Sequence, residues 1–325
     1  MRTQVRVLVL VLTGALAVGA GCQGSTGPGA ATLRTLPGTT CPVFPADSIW
    51  HADVSRLPVS VHSADWLGHM SASTRKLHPD FGPSYGAQPV PYGIPFTLVS
   101  GTHAKVAVRF DYAGESDPGP YPLGPDTKIE GGTASSGDRH ALMIDTATCK
   151  LYETWNTRLT PTGWAAGSGA VFDLRSNALR PAGWTSADAA GLPILPGLLR
   201  YGEVKAGFVD HAIRFTTDVT DRRYFWPARH QAGSVSDATY PPMGARFRLK
   251  ASFAISSYGP QAQVILRAMQ TYGLVLADNG SPWFFQGTAD AAWPSALLDE
   301  LKTVPATAFE AVSVASIKVS ADSGQ

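Results

Sequence analysis

The sequence predicts a mainly β protein, a single β-sandwich or jelly-roll domain with a few peripheral helices. Short segments alternate apolar and polar residues, as strands with one buried face do. The 33 glycines and 25 prolines are spread along the chain, as turn residues joining many short strands would be. Only two segments have a clear helical period. The internal repeat that a propeller would show is missing, which disfavours that fold.

Six segments have the length and composition of strands: 105–112, 139–145, 150–156, 209–216, 245–255 and 274–277. Only four residues separate the second from the third, and this short gap predicts a β-hairpin. Asn279-Gly280 lies between two apolar runs and predicts a type I′ hairpin turn. Segment 42–95 has no clear period, so we expect an arm that wraps the core.

Two helices are predicted near the C-terminal end. In 261–272 the apolar residues recur at helical spacing, with Pro260 in the first turn and Gly273 just past the last. Segment 295–302 carries three leucines on one helical face. A shorter helical piece is expected within 198–204.

The N-terminus has the three parts of a secretory signal peptide. Arg2 and Arg6 supply positive charge, 5–18 is apolar, and 19–21 are small residues before Cys22. The apolar run is shorter than the roughly 20 residues that a membrane-spanning helix needs. We therefore expect residues 1–21 to direct export.

The Gly-Ala-Gly-Cys sequence ending at Cys22 resembles the lipobox of bacterial lipoproteins, whose cysteine is acylated. This resemblance implies that lipid on Cys22 holds the protein at the extracellular face of the bacterial cell membrane. The alternative is ordinary cleavage and secretion, with Cys22 left as a thiol. Residues 22–40 would form a flexible tether, rich in small and polar residues, and 41–325 one globular domain.

The remaining two cysteines, Cys41 and Cys149, form an even pair. Disulfides persist in the compartments that exported proteins reach, so we predict a bridge between them. The bridge would clip the N-terminal arm to the strand that begins at Cys149.

Composition excludes some partners. A net charge of +1 argues against nucleic-acid binding, which needs a basic surplus. The eight histidines are scattered without metal-ligand spacing, so neither a metal nor another cofactor is expected. We expect a monomer whose contact with the membrane is made by the lipid alone.

Five segments of the mature chain have distinctive sequences: GDRHALMID (137–145), GLPILPGLLRY (191–201), DHAIRF (210–215), PPMGARFRLK (241–250) and LADNGS (276–281). With these segments, much of the mature chain resembles a widespread group of secreted bacterial proteins to which no activity is assigned. The resemblance implies export and a single domain, and it carries no catalytic residues.

Since signatures such as GxSxG and HExxH are absent, the catalytic candidates are ionisable residues in or beside apolar strands. Glu153, for example, shares a strand face with Trp155, and apolar surroundings raise a carboxyl pKa, as a general acid requires. The candidate catalytic residues are Glu153, Asp210, Asp138, His140 and Asp278. Two structural alternatives remain: Asp210 paired with Arg139 or Arg214, and Asp278 as a turn flank.

The candidate substrate-binding residues are Trp155, Arg246, Arg248, His211 and Trp283. Trp155 offers a flat ring to a sugar, and His211 could remove a proton in a lyase. Arg246 and Arg248 share a strand face, either a solvated face or a cationic stripe for an acidic glycan. Trp283 is either a core residue or a sugar platform.

Together these features predict a glycan-active enzyme, a glycoside hydrolase with a carboxylate pair. A polysaccharide lyase is the nearest variant. The alternative is a non-catalytic surface lipoprotein that binds glycan or cell-wall polymer. Carboxyl groups converging in a cleft would favour the enzyme, and a shallow aromatic platform would favour the binder.

Overall fold

A computed structural model describes residues 35–84 and 90–325, and it confirms the mainly β class. The predicted signal peptide, the lipidation site at Cys22 and most of the predicted tether lie outside the described residues. None of the helices in the described part combines the length and apolarity required to span a bilayer.

The strands of the described chain are mostly short, between two and six residues. In chain order they are β1 (His78–Pro79), β2 (Phe96–Val99), β3 (Val108–Phe110), β4 (Ala141–Asp145), β5 (Lys150–Trp155), β6 (Arg158–Thr160), β7 (Gly163–Ala166), β8 (Ser168–Asp173), β9 (Ile213–Thr217), β10 (Asp221–Tyr224), β11 (Pro242–Met243), β12 (Arg246–Leu249), β13 (Leu274–Asn279), β14 (Phe284–Phe285) and β15 (Phe309–Val312).

The α-helices of the described part are α1 (Ser63–His69), α2 (Tyr201–Ala206), α3 (Pro260–Thr271) and α4 (Ser295–Leu301). Helices α3 and α4 confirm the two predicted near the C-terminal end, and α2 lies close to the predicted shorter piece. Helix α1, within the predicted arm, was not anticipated. Single 3₁₀ turns cover Ile49–His51, Ala113–Glu115, Leu195–Gly197, Ile255–Ser257, Ala306–Ala308 and Ala315–Ile317.

Helix α3 follows its sequence pattern. Proline occupies its first position, where the missing N–H costs nothing, and its predicted apolar face is largely buried. Gly273, just beyond its end, has φ +73°, and a Cβ there would lie 2.2 Å from the carbonyl oxygen of Phe247. Only glycine fits both requirements, so this residue allows the chain to turn from the end of α3 into β13.

A four-stranded sheet has the order β2-β4-β5-β8, with β2 parallel to β4 and the other pairs antiparallel. The β4–β5 pair is the predicted hairpin. Every residue of β4 is buried: Leu142 and Ile144 pack into the larger hydrophobic core, whereas Ala141 and Met143 belong to a smaller one. Protein therefore covers both faces of this sheet, which explains why β4 reads as a continuous apolar run.

A six-stranded mixed sheet has the order β1-β14-β9-β13-β12-β15. Strand β9 is parallel to β13 and antiparallel to β14, so β13 and β14 lie on opposite sides of β9. The predicted hairpin at Asn279-Gly280 is therefore wrong, and neither residue has a positive φ. The segment instead carries the chain across β9.

Two smaller sheets complete the architecture. The order β3-β7-β6 forms a three-stranded sheet, and β10 pairs with β11. Phe110 of β3 and Ala166 of β7 pack against Tyr152 of the four-stranded sheet in the smaller core. The four-stranded sheet is thus sandwiched between the three-stranded sheet and the larger core.

The predicted disulfide between Cys41 and Cys149 is present, and both residues are fully buried. It joins the arm to the start of β5 across a sequence separation of 108 residues. In the chain-entropy model a loop of this length gives about 4–5 kcal/mol of stabilisation.

Candidate functional site

A group of ionisable side chains lies where β5 of the four-stranded sheet approaches β9 and β13 of the six-stranded sheet. The segment 186–197 passes between them: its backbone contacts the carboxylate of Glu153 on β5, and its Gly197 abuts Arg214 on β9. We call this group the Arg214 cluster; its members are Glu130, His140, Glu153, Asp188, Arg214 and Asp278.

Arg214 is fully buried between two carboxylates. Its Nε donates to Asp188 Oδ2 at 3.2 Å, and its Nη2 lies 3.1 Å from Asp188 Oδ1 and 3.7 Å from Asp278 Oδ2. Burial alone would lower the pKa of Arg214, but Asp188 and Asp278 raise it, so the guanidinium stays charged. Its Nη1 has no hydrogen-bond partner within the described chain.

A β-bulge directs Asp278 towards Arg214. Val275 lies opposite Arg214, so a regular strand would place Asp278, three residues later, on the other face. The register shifts between Leu276 and Asp278, and Asp278 pairs with Thr216, which shares the face of Arg214. The extra residue thus brings this carboxyl into the cluster.

Two carboxyl groups of the cluster reach solvent, those of Asp278 and Glu130, and Asp278 is the one whose pKa is raised. Protein crowds it on most sides, yet its side chain keeps 28% of its surface open to solvent. Burial, followed by the charge of Asp188, raises the pKa of Asp278 to about 7, although Arg214 and His140 oppose the rise. Arg214 lies closer to Asp188 than to Asp278, so the charge of Asp188 is the better compensated.

Burial raises the pKa of Asp188 as well, against the opposing effect of Arg214. The Asp188 loop is fixed to the sheet, because the backbone N–H of Ala190 donates to the carbonyl of Ala277 at the bulge. The loop therefore holds Asp188 against the strand that also carries Asp278.

His140 and Glu130 form the second ion pair. The Nδ1 of His140 lies 2.6 Å from Glu130 Oε2, and its Nε2 lies 3.2 Å from the carbonyl oxygen of Ala187. Both ring nitrogens thus face acceptors, which only the imidazolium can satisfy. Burial would lower the pKa of His140, but Glu130 raises it to about 9.

Glu130 is correspondingly ionised. Burial works towards a higher pKa, but the charge and hydrogen bond of His140 hold the pKa of Glu130 below its usual value. The side chain keeps 24% of its surface open to solvent. Both described hydrogen bonds to this carboxylate go to Oε2, from the backbone N–H and the ring of His140.

Glu153, the first of the predicted catalytic residues, is buried, and its carboxylate contacts backbone N–H groups of the protein. Its two carboxylate oxygens accept from the backbone N–H groups of Ile194 and Leu195 at 2.9–3.0 Å. Burial raises the pKa of Glu153 to about 7, and these two N–H groups oppose the rise. With no exposed surface, this carboxyl holds segment 186–197 and cannot touch a substrate.

Asp210 and Asp138 lie outside the cluster. Asp210 is near Tyr272, and the predicted salt bridge to Arg139 or Arg214 is absent from the described contacts. Arg139 instead donates to the carbonyls of four residues around it. Asp138 is exposed and accepts from Trp155 Nε1 at 3.4 Å. Trp155 is half-buried, so its predicted ring surface is partly covered.

Two predicted substrate-binding residues are wholly buried. His211 contacts the carbonyl of Ala212 at 2.8 Å and Glu203 at 3.2 Å. Trp283 packs in the larger core and donates to the carbonyl of Met70 at 2.9 Å. The sugar-platform interpretation of Trp283 is therefore wrong, and the core alternative is correct.

The predicted arginine face is used inside the protein. Arg246 is 2% exposed and donates to the carbonyl of Ile49. Arg248 pairs with Glu310 at 2.8 Å and donates to two backbone carbonyls of the arm. Neither the solvated face nor an open cationic stripe is present, because the arm covers this side of β12.

The sequence did not indicate Asp188 or Glu130 as site residues, and it assigned Arg214 to the wrong partner. Asp188 and Glu130 lie in irregular segments without a hydrophobic period. The available signal was an arginine inside the apolar run of β9, since a buried arginine requires a carboxylate partner.

Within residues 35–84 and 90–325, no group of three or more His, Cys, Asp or Glu side chains is arranged to hold a metal ion. Comparison with known proteins finds no matching family model, no matching curated protein and no matching solved structure.

Proposed function

We propose that the chain is an exported, lipid-anchored glycoside hydrolase whose catalytic pair is Asp278 and Glu130. The observation that carries the proposal is that two solvent-accessible carboxyl groups beside the same two cations have pKa values shifted in opposite directions. The pKa of Asp278 is raised to about 7 and that of Glu130 is lowered, and both carboxyls interact with Arg214 and His140. Such a pair supplies one acid and one base.

In this mechanism protonated Asp278 donates its proton to the leaving oxygen of the glycosidic bond. Ionised Glu130 either attacks the anomeric carbon or activates water, the two roles open to the second carboxylate in such enzymes. Arg214 keeps Asp278 in place, and His140 keeps Glu130 charged. The buried disulfide supports the export part of the proposal, since such bridges persist outside the cytoplasm.

A polysaccharide lyase is less well supported. It would need a cation to neutralise the uronate carboxylate and a base to remove the C5 proton. Arg214 already faces two carboxylates, and His140 and His211 are buried with acidic partners. These groups are not free for either task, so hydrolysis fits the contacts better.

The test is an activity screen of the full chain against neutral and acidic polysaccharides, following new reducing ends and unsaturated uronates together. We expect new reducing ends without unsaturated uronates. This activity should be lost in Asp278→Asn and in Glu130→Gln. It should be retained in Asp299→Asn, the control, because Asp299 is an exposed acid on α4. Unsaturated products would show a lyase. Retention of an immobilised glycan without turnover would show the binding-protein alternative, and either result contradicts the proposal.

A further inference from the structure

A second buried arginine, Arg246, has no acidic partner among residues 35–84 and 90–325. Its Nη2 donates to the carbonyl oxygen of Ile49 at 2.7 Å, and its Nε has no hydrogen-bond partner within the described chain. Burial is the one influence on its ionisation, and it lowers the pKa of Arg246 to about 9. Arg214, on the same face of the sheet beyond β13, has two carboxylates.

Arg246 lines a cavity of about 300 Å³. The walls are mostly apolar, formed by aromatic side chains and the end of β15, and they include Trp66, Tyr224, Phe225, Trp226 and Val312. The ring N–H groups of both tryptophans are already bonded to backbone carbonyls, so the rings contribute apolar surface. The exposed Lys318 also lines the cavity. No member of the Arg214 cluster does.

An uncompensated buried charge is costly, and an anion that pairs with it recovers part of that cost. The planar guanidinium matches the two oxygens of a carboxylate. One buried cation in apolar walls suits a monoanion with an apolar body better than a phosphate, which needs several donors. The cavity volume lies at the lower end for small-molecule sites.

We propose that this cavity binds a small organic carboxylate with an aromatic or branched apolar body. Arg246 pairs with the carboxylate, and the aromatic walls enclose the apolar part. The site is distinct from the Arg214 cluster and does not depend on the glycosidase proposal.

The test uses benzoate as the probe, titrated into the full chain by calorimetry, with benzamide as a neutral molecule of the same shape. We expect saturable benzoate binding that is weakened about tenfold or more for benzamide and for Arg246→Gln. Arg248→Gln should bind benzoate as the wild type does, because Arg248 is on the same strand but outside the cavity. Val314→Trp, which fills the cavity and keeps Arg246, should abolish binding even if Arg246→Gln does not fold.

Equal affinity for benzoate and benzamide would overturn the proposal. So would unchanged benzoate binding in Val314→Trp, or no saturable binding of benzoate in the millimolar range.

Discussion

The Arg214 cluster contains four carboxyl groups and two cations. His140 compensates Glu130, whereas Arg214 compensates Asp188 only in part, because burial still raises the pKa of Asp188. The other two carboxyls, Asp278 and Glu153, have pKa values raised to about 7. They differ in exposure: Glu153 is fully buried, whereas Asp278 reaches solvent. The same electrostatic imbalance thus gives one structural acid and one acid that can meet a substrate.

At this scale we predict that Glu153→Gln destabilises the fold. The amide oxygen of glutamine can take the Oε1 position, which accepts from both Ile194 and Leu195, but its NH2 group would then face the N–H of Ile194 from the Oε2 position. Two buried donors would meet there, with no acceptor for the new N–H. A loss of about 2–3 kcal/mol in the free energy of unfolding is expected, measured by urea denaturation. The control is Asp138→Asn, an exposed carboxyl that should change stability by less than about 0.5 kcal/mol. Equal stability of both variants would show that Glu153 does not hold the segment.

At the scale of elements, the site depends on two local departures from regular structure. The bulge in β13 directs Asp278 to the face of Arg214. The close approach of the 3₁₀ turn to β9 requires a glycine: a Cβ at Gly197 would lie 2.9 Å from the Cβ of Arg214 and 3.0 Å from the Trp50 ring. Arg214 can therefore lie this close to the turn only because residue 197 has no side chain.

We predict that Gly197→Ala lowers the free energy of unfolding by about 1–3 kcal/mol, the usual cost of overpacking. It should also reduce activity, since Arg214 must shift. Gly202→Ala is the matched control, because a Cβ at this position of α2 would have no atom of the described residues within 4 Å. There the helix propensity of alanine should raise stability by up to about 1 kcal/mol. Thermal unfolding of the two variants, with opposite changes in Tm, is the measurement; a shift in the same direction would contradict the account.

Elements defined by local sequence could be predicted. The β4–β5 hairpin needs only a short turn between two apolar runs, and α3 carries its own start and end signals. Strand order could not be predicted, because the parallel pairing of β9 with β13 joins residues some sixty positions apart. The Asn279-Gly280 turn was mispredicted for the same reason: β14 pairs with β9, a partner that its neighbouring sequence does not reveal.

The site was predicted only in part. The sequence indicated His140 and Asp278, which do lie in the cluster, and Glu153, whose role is to hold the backbone. It did not indicate Asp188 and Glu130, because irregular loops carry them and tertiary packing alone places them beside the strands.

At the scale of the whole molecule, the cluster links folding to pH. A raised pKa in the folded state gives stability that is present below the unfolded pKa and lost as the pH rises through the folded value. Asp278 and Glu153 lose this stabilisation as the pH rises from their usual pKa values to about 7. His140 loses it as the pH rises from its usual pKa of 6.5 to about 9. All three groups therefore act in the same direction above pH 5.

We predict that the free energy of unfolding falls steadily between about pH 5 and 9. The His140 share is on the order of 3 kcal/mol, from the difference between the ordinary and folded pKa values. Urea denaturation across this range is the measurement, with His140→Gln as the variant whose decline above pH 7 should be smaller. A stability maximum near pH 8 or 9 would contradict the assignment of charges in the cluster.

The central claim, that Asp278 is the proton donor of a glycosidase, is tested most directly by the dependence on leaving group. The wild type and Asp278→Asn would be compared on the polysaccharide found in the screen and on a nitrophenyl glycoside of the same sugar. Nitrophenolate leaves without a proton, so loss of the acid should matter little there. We expect activity on the polysaccharide to fall about 100-fold or more and activity on the aryl glycoside to persist. Equal losses on both substrates, or no loss on either, would contradict the account.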